Sequence, residues 1–234
     1  MTATFHLMRW NNAVGMVQAL AFDRLRYRNA EGLQLLRVLG TAKGSSTAPS
    51  TQLDRTALFC LFDDEASADV HVADVMQRRG IAESWHVKLR GAGGHGAWKG
   101  REIPRVMTSE ATPSPHNAQG TSTQPIAMIT RANVRLRAWR TFSAAAHVVD
   151  RELQQSEGLL AVVGIGEAPI LRLGTFSLWR DAAAMSAFAH RAPQHEGVVA
   201  RTRQEQWYGE EMFARFTPYW STGTWDGVDP LRRI

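Results

Sequence analysis

GLLAVVGIG at residues 158–166 and GLQLLRVLG at residues 32–40 are two apolar runs bounded by glycine, and together they decide the organisation of the chain. Runs of this length and composition are typical of buried β-strands. A second pair follows in the same order, GTFSLWRD at residues 174–181 and ALFCLFDD at residues 57–64. Each ends in an aromatic residue and an aspartate that can cap a helix. The chain therefore contains an internal repeat.

A third pair completes the repeat. EEMFARF at residues 210–216 matches ESWHVKL at residues 83–89, and both lead into a Gly-x-Trp-x-Gly motif, at residues 96–100 and 223–227. Each half also supplies two helices between its blocks. The order in each half is strand, helix, strand, strand, helix, strand, which is the ferredoxin-like order.

The sequence pattern is clearest in the second half. There it predicts strands over 126–132, 159–165, 173–179 and 210–216 and helices over 143–155 and 182–190. The first helix places Ala146, Val149 and Leu153 on one face, as expected of a helix that packs on a sheet. Residues 109–124 are rich in Ser, Thr and Pro and predict a linker between a unit at 1–108 and a unit at 125–234. Two antiparallel sheets, each with one apolar face, bury those faces most simply against each other. We therefore expect an α+β fold in which two tandem ferredoxin-like units form one barrel.

Composition favours an ordinary globular protein, since 44% of the residues are hydrophobic and 21% are charged. The apolar run at residues 13–22 is broken by Gly15 and Gln18 and is too short to span a membrane. With no secretory signal apparent, we expect a cytoplasmic protein. The single cysteine, Cys60, excludes an internal disulfide and multi-cysteine metal sites, and its apolar neighbours predict a buried thiol.

The net charge of +5 is spread along the chain, whereas nucleic-acid-binding proteins usually concentrate their basic residues. The densest basic run, Arg131, Arg135, Arg137 and Arg140, is typical of a solvated strand-to-helix edge. We expect no nucleic-acid partner, although a weak attraction to anionic lipid is compatible with the charge.

Several common chemistries lack their motifs in this chain. It contains no phosphate loop, no Gly-x-Ser-x-Gly elbow and no His-x-x-x-His helix, and its one Glu-x-x-His spacing, Glu83 to His86, falls in a predicted strand and not on a helix. GAGGHG at residues 91–96 is glycine-rich, but it precedes a matched strand end and predicts a flexible loop.

The halves differ most at residues 192–201, APQHEGVVAR, which have no counterpart in the first half. Helical spacing would place His195 on the same face as Val198 and Val199. A histidine on an apolar helical face is more often a core residue than a ligand. This one, however, lies in a segment unique to one half, between the bulky residues Phe188 and Trp207. Since neutral imidazole is the ordinary axial ligand of haem iron, His195 is the first candidate ligand and His190 the reserve.

Longer motifs carry a family resemblance. PIAMITRA at 125–132, GIGE at 164–167, FSLWRDAAAMSAF at 176–188, PQH at 193–195, WYGEEMFARF at 207–216 and GTWDGVDP at 223–230 resemble the spheroidene monooxygenase family in order and spacing. GTAKG at 40–44 and WKG at 98–100 extend the resemblance into the first half.

The resemblance implies an oxygenase that uses O₂ and an external electron donor to place oxygen on an acyclic carotenoid, giving a 2-keto product. The implied cofactor is haem. The wider dimeric α+β barrel superfamily includes haem enzymes and also cofactor-free oxygenases, so the fold supports haem without proving it.

We hypothesise that His195 binds the iron. Arg131, on the same strand face as Ala127 and Ile129, would meet a haem propionate or polarise bound oxygen, or else form a surface or interdomain salt bridge. The apolar wall around cofactor and substrate is predicted to comprise four aromatic residues, which in such places are also often plain core: Phe176, Trp179, Phe188 and Trp207.

A carotenoid is dissolved in the bilayer, so we expect transient association with a membrane surface, and further homo-oligomerisation remains open. Three alternatives stay open as well. They are a haem enzyme with aldoxime-dehydratase-like or nitrogen-oxidising chemistry, a non-catalytic haem-binding protein, and a cofactor-free oxygenase in which His195 is a base or a packing residue. The sequence identifies neither the substrate nor the electron donor.

Overall fold

The computed structural model describes residues 1–44, 51–109, 123–168, 172–191 and 207–233. The first half comprises β1 (Thr2–Trp10), α1 (Ala13–Tyr27), β2 (Leu33–Ala42), β3 (Thr51–Phe62), α2 (Glu65–Met76), β4 (Ile81–Gly96) and α3 (Ile103–Ser109). The second half comprises β5 (Ile126–Val134), α4 (Trp139–Gln154), β6 (Leu159–Ala168), β7 (Arg172–Trp179), α5 (Ala182–Arg191) and β8 (Tyr208–Gly223), with short 3₁₀ turns at Leu136–Ala138 and Pro230–Arg233.

The predicted order of elements is confirmed in both halves, and β8 runs further than its sequence block suggested. The aspartates that end the second blocks cap matching helices. Asp64 accepts a hydrogen bond from the backbone N–H of Ser67 at 2.8 Å, and Asp181 accepts one from Ala184 at 2.7 Å. Each cap satisfies an N–H group that the first helical turn leaves without a partner.

The strands close into one barrel in the order β1-β3-β2-β6-β7-β5-β8-β4, which confirms the α+β barrel. The two sheets join along two seams. The short seam pairs β2 with β6 from Gly40↔Gly166 to Ala42↔Gly164, and the long seam pairs β4 with β8 from Trp85↔Gly223 to Gly96↔Met212. One chain therefore encloses a single interior with residues from both halves.

Strand alternation fills the barrel interior with large apolar side chains. Phe5 of β1 and Phe176 of β7 stack at its centre, with ring centroids 3.8 Å apart and planes 4° from parallel. Trp98 and Trp225, from the two Gly-x-Trp-x-Gly motifs, belong to the same core cluster. The halves are thus held together through the interior as well as through the seams.

The two Gly-x-Trp-x-Gly motifs form the same turn. Lys99 and Asp226 both adopt φ of 52°, and bridges close the turns between Trp98 and Arg101 and between Trp225 and Val228. The repeat is therefore preserved at the level of backbone conformation.

The prediction of a flexible loop at residues 91–96 is wrong, because these residues form the end of β4 and pair with β8. Their glycines permit an unusually close strand approach: a Cβ on Gly94 would lie 2.0 Å from the carbonyl oxygen of Phe213. The composition reflects this packing and not flexibility.

Two predictions fall outside the described residues. Most of the predicted linker, as residues 110–122, and the whole of the unmatched insertion at residues 192–201, with His195, lie there. The division into units at 1–108 and 125–234 therefore stays a prediction. Within the part of the chain that is described, no helix has both the length and the hydrophobicity that a bilayer crossing requires.

Candidate functional site

The outer faces of the two half-sheets provide a direct comparison, because strand register matches them position by position. Thr4 of β1 pairs with Cys60 of β3, as Met128 of β5 pairs with Ser177 of β7. We call the β1/β3 surface the first face and the β5/β7 surface the second face. The first face consists of Thr4, His6, Met8, Leu58 and Cys60, and the second of Met128, Thr130, Ala132, Thr175 and Ser177.

The two faces differ in burial. All five residues of the first face are 0% exposed, whereas four of the five on the second face are only half-buried, Ser177 being the exception. The helices explain the difference. Helix α1 buries Met16, Ala19, Asp23 and Tyr27, while in α4 Leu153 alone is buried among the side chains that the structure describes. Helix α4 thus leaves the second face partly open.

Apolar clusters border the second face at both ends. At one end Trp179 packs with Leu153, Met185 and Phe188, and the rings of Trp179 and Phe188 lie 5.5 Å apart. At the other end Trp207 packs with Val134 and Ala138.

The middle of the second face is polar. The hydroxyl groups of Thr130 and Thr175 are hydrogen-bonded to each other at 2.6 Å. The face therefore offers two hydroxyls between apolar walls, an arrangement common in sites for apolar ligands.

An open cleft of about 320 Å³ lies beside the Phe188 end, between the end of α4 and α5. It is lined by Glu152, Gln155, Ser156, Glu157, Ala184, Ala187 and Phe188. The cleft is at the small end of the range of ligand pockets and borders the cluster that contains Trp179.

The four predicted aromatic residues do not share one surface. Trp179, Phe188 and Trp207 border the second face, whereas Phe176 points to the opposite side of β7 and is part of the barrel core. Residues three apart on a strand face opposite ways, which separates Phe176 from Trp179.

Arg131 also points into the barrel, as its alternation with Ala127 and Ile129 predicted, and it is only 4% exposed. Its guanidinium lies 3.1 Å from a Glu210 carboxylate oxygen and 3.9 Å from one of Glu167. It also lies over the ring of Trp98 from the first half, 5.6 Å from the ring centroid. The observed contacts are those of a buried ion-pair network between the halves.

Glu167 is the centre of this network. It accepts a hydrogen bond from the indole of Trp98 and forms ion pairs with Arg37 and Lys99. Burial acts to raise the pKa of Glu167, but the bonds from Trp98 and Lys99 outweigh burial and leave its pKa lowered. The carboxylate is therefore held ionised at this end of the barrel.

No residue of the second face carries an imidazole or a thiol. His195 lies outside the described residues, and His190 belongs to α5, with its side chain likewise outside the description. His95 stacks on Phe213, the β8 partner of Thr130, so it lies beside this face. A nitrogen ligand for this face must come from another segment, and the insertion at 192–201 belongs to the stretch of chain that joins α5 to Trp207, at its two borders.

The sequence interpretation missed a cluster of histidines on the first half. His6 and His86 contact through their Nδ1 atoms at 2.8 Å, and Cys60 Sγ lies 3.4 Å from His71 Nε2. All four are buried. The internal repeat could have revealed this cluster. At the positions matched to His6, Cys60, His71 and His86, the second half carries Thr130, Ser177, Phe188 and Phe213.

Sequence comparison connects this barrel with a named group of enzymes. The chain is 33% identical over 200 residues to a spheroidene monooxygenase from Rubrivivax gelatinosus, and the match covers 84% of this chain and 73% of the relative. The chain belongs to the spheroidene monooxygenase family. The family member from Rhodobacter capsulatus is 27% identical over 236 residues, covering 98% of this chain and 95% of the relative. Membership of the spheroidene monooxygenase family makes the chain an oxygenase, and hence an oxidoreductase. No model in a scan of protein families matches the chain.

Solved structures agree on the fold. An aldoxime dehydratase matches with a TM-score of 0.57 and 11% identity, over 93% of this chain and 81% of that one. An aldoxime dehydratase solved with butyraldoxime matches with a TM-score of 0.58 and 10% identity, over 93% and 79%. At this identity the likeness shows that the family member shares their architecture, and no more.

Proposed function

We propose that the chain is a haem-dependent monooxygenase that inserts oxygen from O₂ into an acyclic carotenoid or a comparable apolar substrate at the second face. The observation that carries the proposal is the partial opening of the second face, whose counterpart in the same chain is sealed. The names of the relatives support the carotenoid substrate.

The residues of the second face fit a flat, apolar macrocycle. Its borders are aromatic, with Trp179 and Phe188 at one end and Trp207 at the other. Its floor has small or flexible side chains, such as Ala132 and Met128, which leave room above the sheet. Haem iron would also need a nitrogen ligand from the protein, a role that we assign to His195, with His190 as the alternative. Bound haem would supply the activation of O₂ with electrons from a separate donor.

The chain's own groups would orient the substrate and exclude water. The three border aromatics would shield an apolar substrate from solvent. The hydroxyls of Thr130 and Thr175 can donate hydrogen bonds to a polar atom above the sheet once their mutual bond rearranges. Such groups discriminate between substrates by the polar atoms that they satisfy.

Arg131 would act at this site through β5 and not by direct contact. It faces the interior, while its neighbour Thr130 faces the second face. By holding Glu167 and Glu210 against the inner side of the sheet, Arg131 would fix the strand that carries Thr130. In this role it is a positioning residue.

The proposed substrate also determines where the enzyme works. A long polyene is dissolved in the bilayer, so the proposal includes transient docking at a membrane surface, from which the substrate would be taken up. Two further partners are O₂ and an electron donor.

The test begins with the absorption spectrum of protein expressed with a haem precursor. We expect a Soret band in the wild type and its loss in His195→Ala. Turnover with ¹⁸O₂, an acyclic carotenoid in lipid vesicles and a reductase system should then place ¹⁸O in the product. A band that persists in His195→Ala would move the ligand to His190. A wild-type protein that binds no haem would overturn the proposal and favour cofactor-free oxygenation.

A further inference from the structure

Three potential metal ligands converge under α2, on the half of the barrel opposite the proposed haem site. One ligand atom each from His6, Cys60 and His71 lies within 4.8 Å of the other two. His6 and Cys60 are 0% exposed and His71 is 3% exposed. The three side chains come from β1, β3 and α2, so the cluster connects three elements.

The fold does not require these residues. Register and the matched helix caps align His6 with Thr130, Cys60 with Ser177 and His71 with Phe188. Side-chain packing agrees with this alignment. The rings of Phe62 and His71 pack with centroids 5.1 Å apart, as the matched rings of Trp179 and Phe188 do at 5.5 Å. The same architecture therefore exists in this chain without any imidazole or thiol at the three positions.

The protonation states suit metal binding. Burial lowers the pKa of His6 and brings the pKa of His71 to about 4, so both imidazoles are neutral at neutral pH and keep a lone pair. Burial raises the pKa of the Cys60 thiol to about 12. A bare thiolate is therefore disfavoured at this place, and a bound cation would stabilise it.

A supporting hydrogen bond completes the arrangement. His6 contacts His86 Nδ1 through its own Nδ1, and His86 Nε2 contacts the Ser84 hydroxyl at 2.9 Å. A histidine that binds a metal usually donates its other ring N–H to such a partner, which fixes the ring and its tautomer. His6 can therefore present Nε2, which now bonds the Thr4 hydroxyl, to an ion.

We propose that His6, Cys60 and His71 bind one monovalent copper ion that clamps α2 to β1 and β3. Thiolate and imidazole are ligands that Cu(I) accepts readily. The charge balance between ion and ligands favours Cu⁺. A single thiolate neutralises Cu⁺ but would leave a net positive charge with Zn²⁺, because the three ligands include no carboxylate. An uncompensated charge in a fully buried place is costly. On binding, the Cys60 thiol releases its proton to solvent, the Cu–S bond forms, and no electron is transferred.

The test uses the full chain, refolded under anaerobic conditions with Cu⁺ supplied as a bicinchoninate complex. After desalting, we expect one copper per chain, and X-ray absorption should show one sulfur and two nitrogen neighbours. Since Cys60 is the only cysteine, loss of the sulfur neighbour in Cys60→Ser assigns it directly.

Variants drawn from the second half provide matched replacements. His6→Thr, Cys60→Ser and His71→Phe introduce the residues that the repeat itself carries, and each should weaken Cu⁺ binding at least about 100-fold. His86→Phe, which removes only the supporting bond, should weaken it about 10-fold to 100-fold. His95→Ala, outside the cluster, should leave the affinity unchanged.

Two results would overturn the proposal. One is a wild-type protein that takes up no more Cu⁺ than Cys60→Ser. The other is four-coordinate binding of Zn²⁺ with no competition from Cu⁺. Circular dichroism checks that each variant folds, and if Cys60→Ser does not fold, His71→Phe decides the question. Haem content should be unchanged in His71→Phe, so the copper proposal and the haem proposal fail independently.

Discussion

The first and second faces show how one fold, present twice in a chain, can serve two purposes. On the first face α1 and α2 seal the sheet, and every matched residue is fully buried. On the second face four of the five matched positions are half-buried between aromatic borders. The barrel interior, the caps and the Gly-x-Trp-x-Gly turns are preserved in both halves. Divergence is therefore concentrated in the outer layer, where a ligand can be accommodated without disturbing the core.

The largest expected effect is on stability and compares a side chain of the barrel interior with one at the border of the second face. Phe176→Ala removes a ring that stacks on Phe5 at the centre of the barrel and should lower the free energy of unfolding by about 3–5 kcal/mol. Phe188→Ala, at the half-buried border, should cost less than half as much. Urea unfolding of both variants measures the contrast, and equal losses would contradict the placement of Phe176 in the core.

The next largest effect on stability compares Glu167, in the buried ion-pair network, with Thr41, at the matched position of the first half. Glu167→Gln leaves Arg37 and Arg131 with less compensating charge and should destabilise the protein by about 3 kcal/mol at pH 7. Thr41, the matched residue, carries no charge, so Thr41→Val should cost only about 1 kcal/mol for its hydrogen bond to Arg55.

The same network predicts a dependence on pH. Because the folded-state pKa of Glu167 lies below its ordinary value of 4.5, its contribution is fully present above that value and declines as pH falls through the lowered folded-state pKa. Unfolding measured from pH 7 down to pH 3 should show a smaller loss of stability in Glu167→Gln than in the wild type. Parallel curves for the two proteins would argue against an ionised Glu167 in the folded state.

A matched pair of enlargements tests the opening of the second face. Leu58→Trp overfills the sealed face and should destabilise the protein by about 3 kcal/mol. Thr175→Trp, at the matched half-buried position, should cost about 1 kcal/mol, mainly from the lost bond to Thr130. Thermal unfolding of the two variants would contradict the comparison if Thr175→Trp proved the more damaging.

The smallest expected effect on stability concerns the helix caps, where the two halves should behave alike. Asp64→Ala and Asp181→Ala each remove a helix cap of matching geometry, and each should cost about 1 kcal/mol. Chemical denaturation of both variants should give values within about 0.5 kcal/mol of each other. A large difference would show that the repeat is less equivalent in energy than in backbone.

Local patterns in the sequence predicted most of the fold. The glycine-bounded apolar runs predicted the strands, and Asp64 and Asp181 predicted where helices begin. Alternation along β5 predicted that Arg131 shares a face with Ile129. The same rule, applied to β7, would also have separated Phe176 from Trp179.

What the sequence did not predict depends on contacts between distant segments. The end of β4 resembles a loop in sequence because it is rich in glycine. The glycines allow the backbone carbonyl of Phe213 in β8, far away in the chain, to approach closely. His6 and His86 are 80 residues apart and meet only because β1 and β4 are neighbours. The opening of the second face likewise depends on how α4 packs, which no periodic pattern encodes.

Haem binding by Thr175→Trp tests the location of the site most directly. The titration would follow the Soret band of apoprotein with added haem, with His71→Phe, in α2 over the first face, as the control. We expect Thr175→Trp to bind haem at least about 100-fold more weakly than the wild type, because the indole would fill the second face, and His71→Phe to bind normally. Normal binding by Thr175→Trp, or loss of binding in His71→Phe alone, would contradict the assignment of the site to the second face.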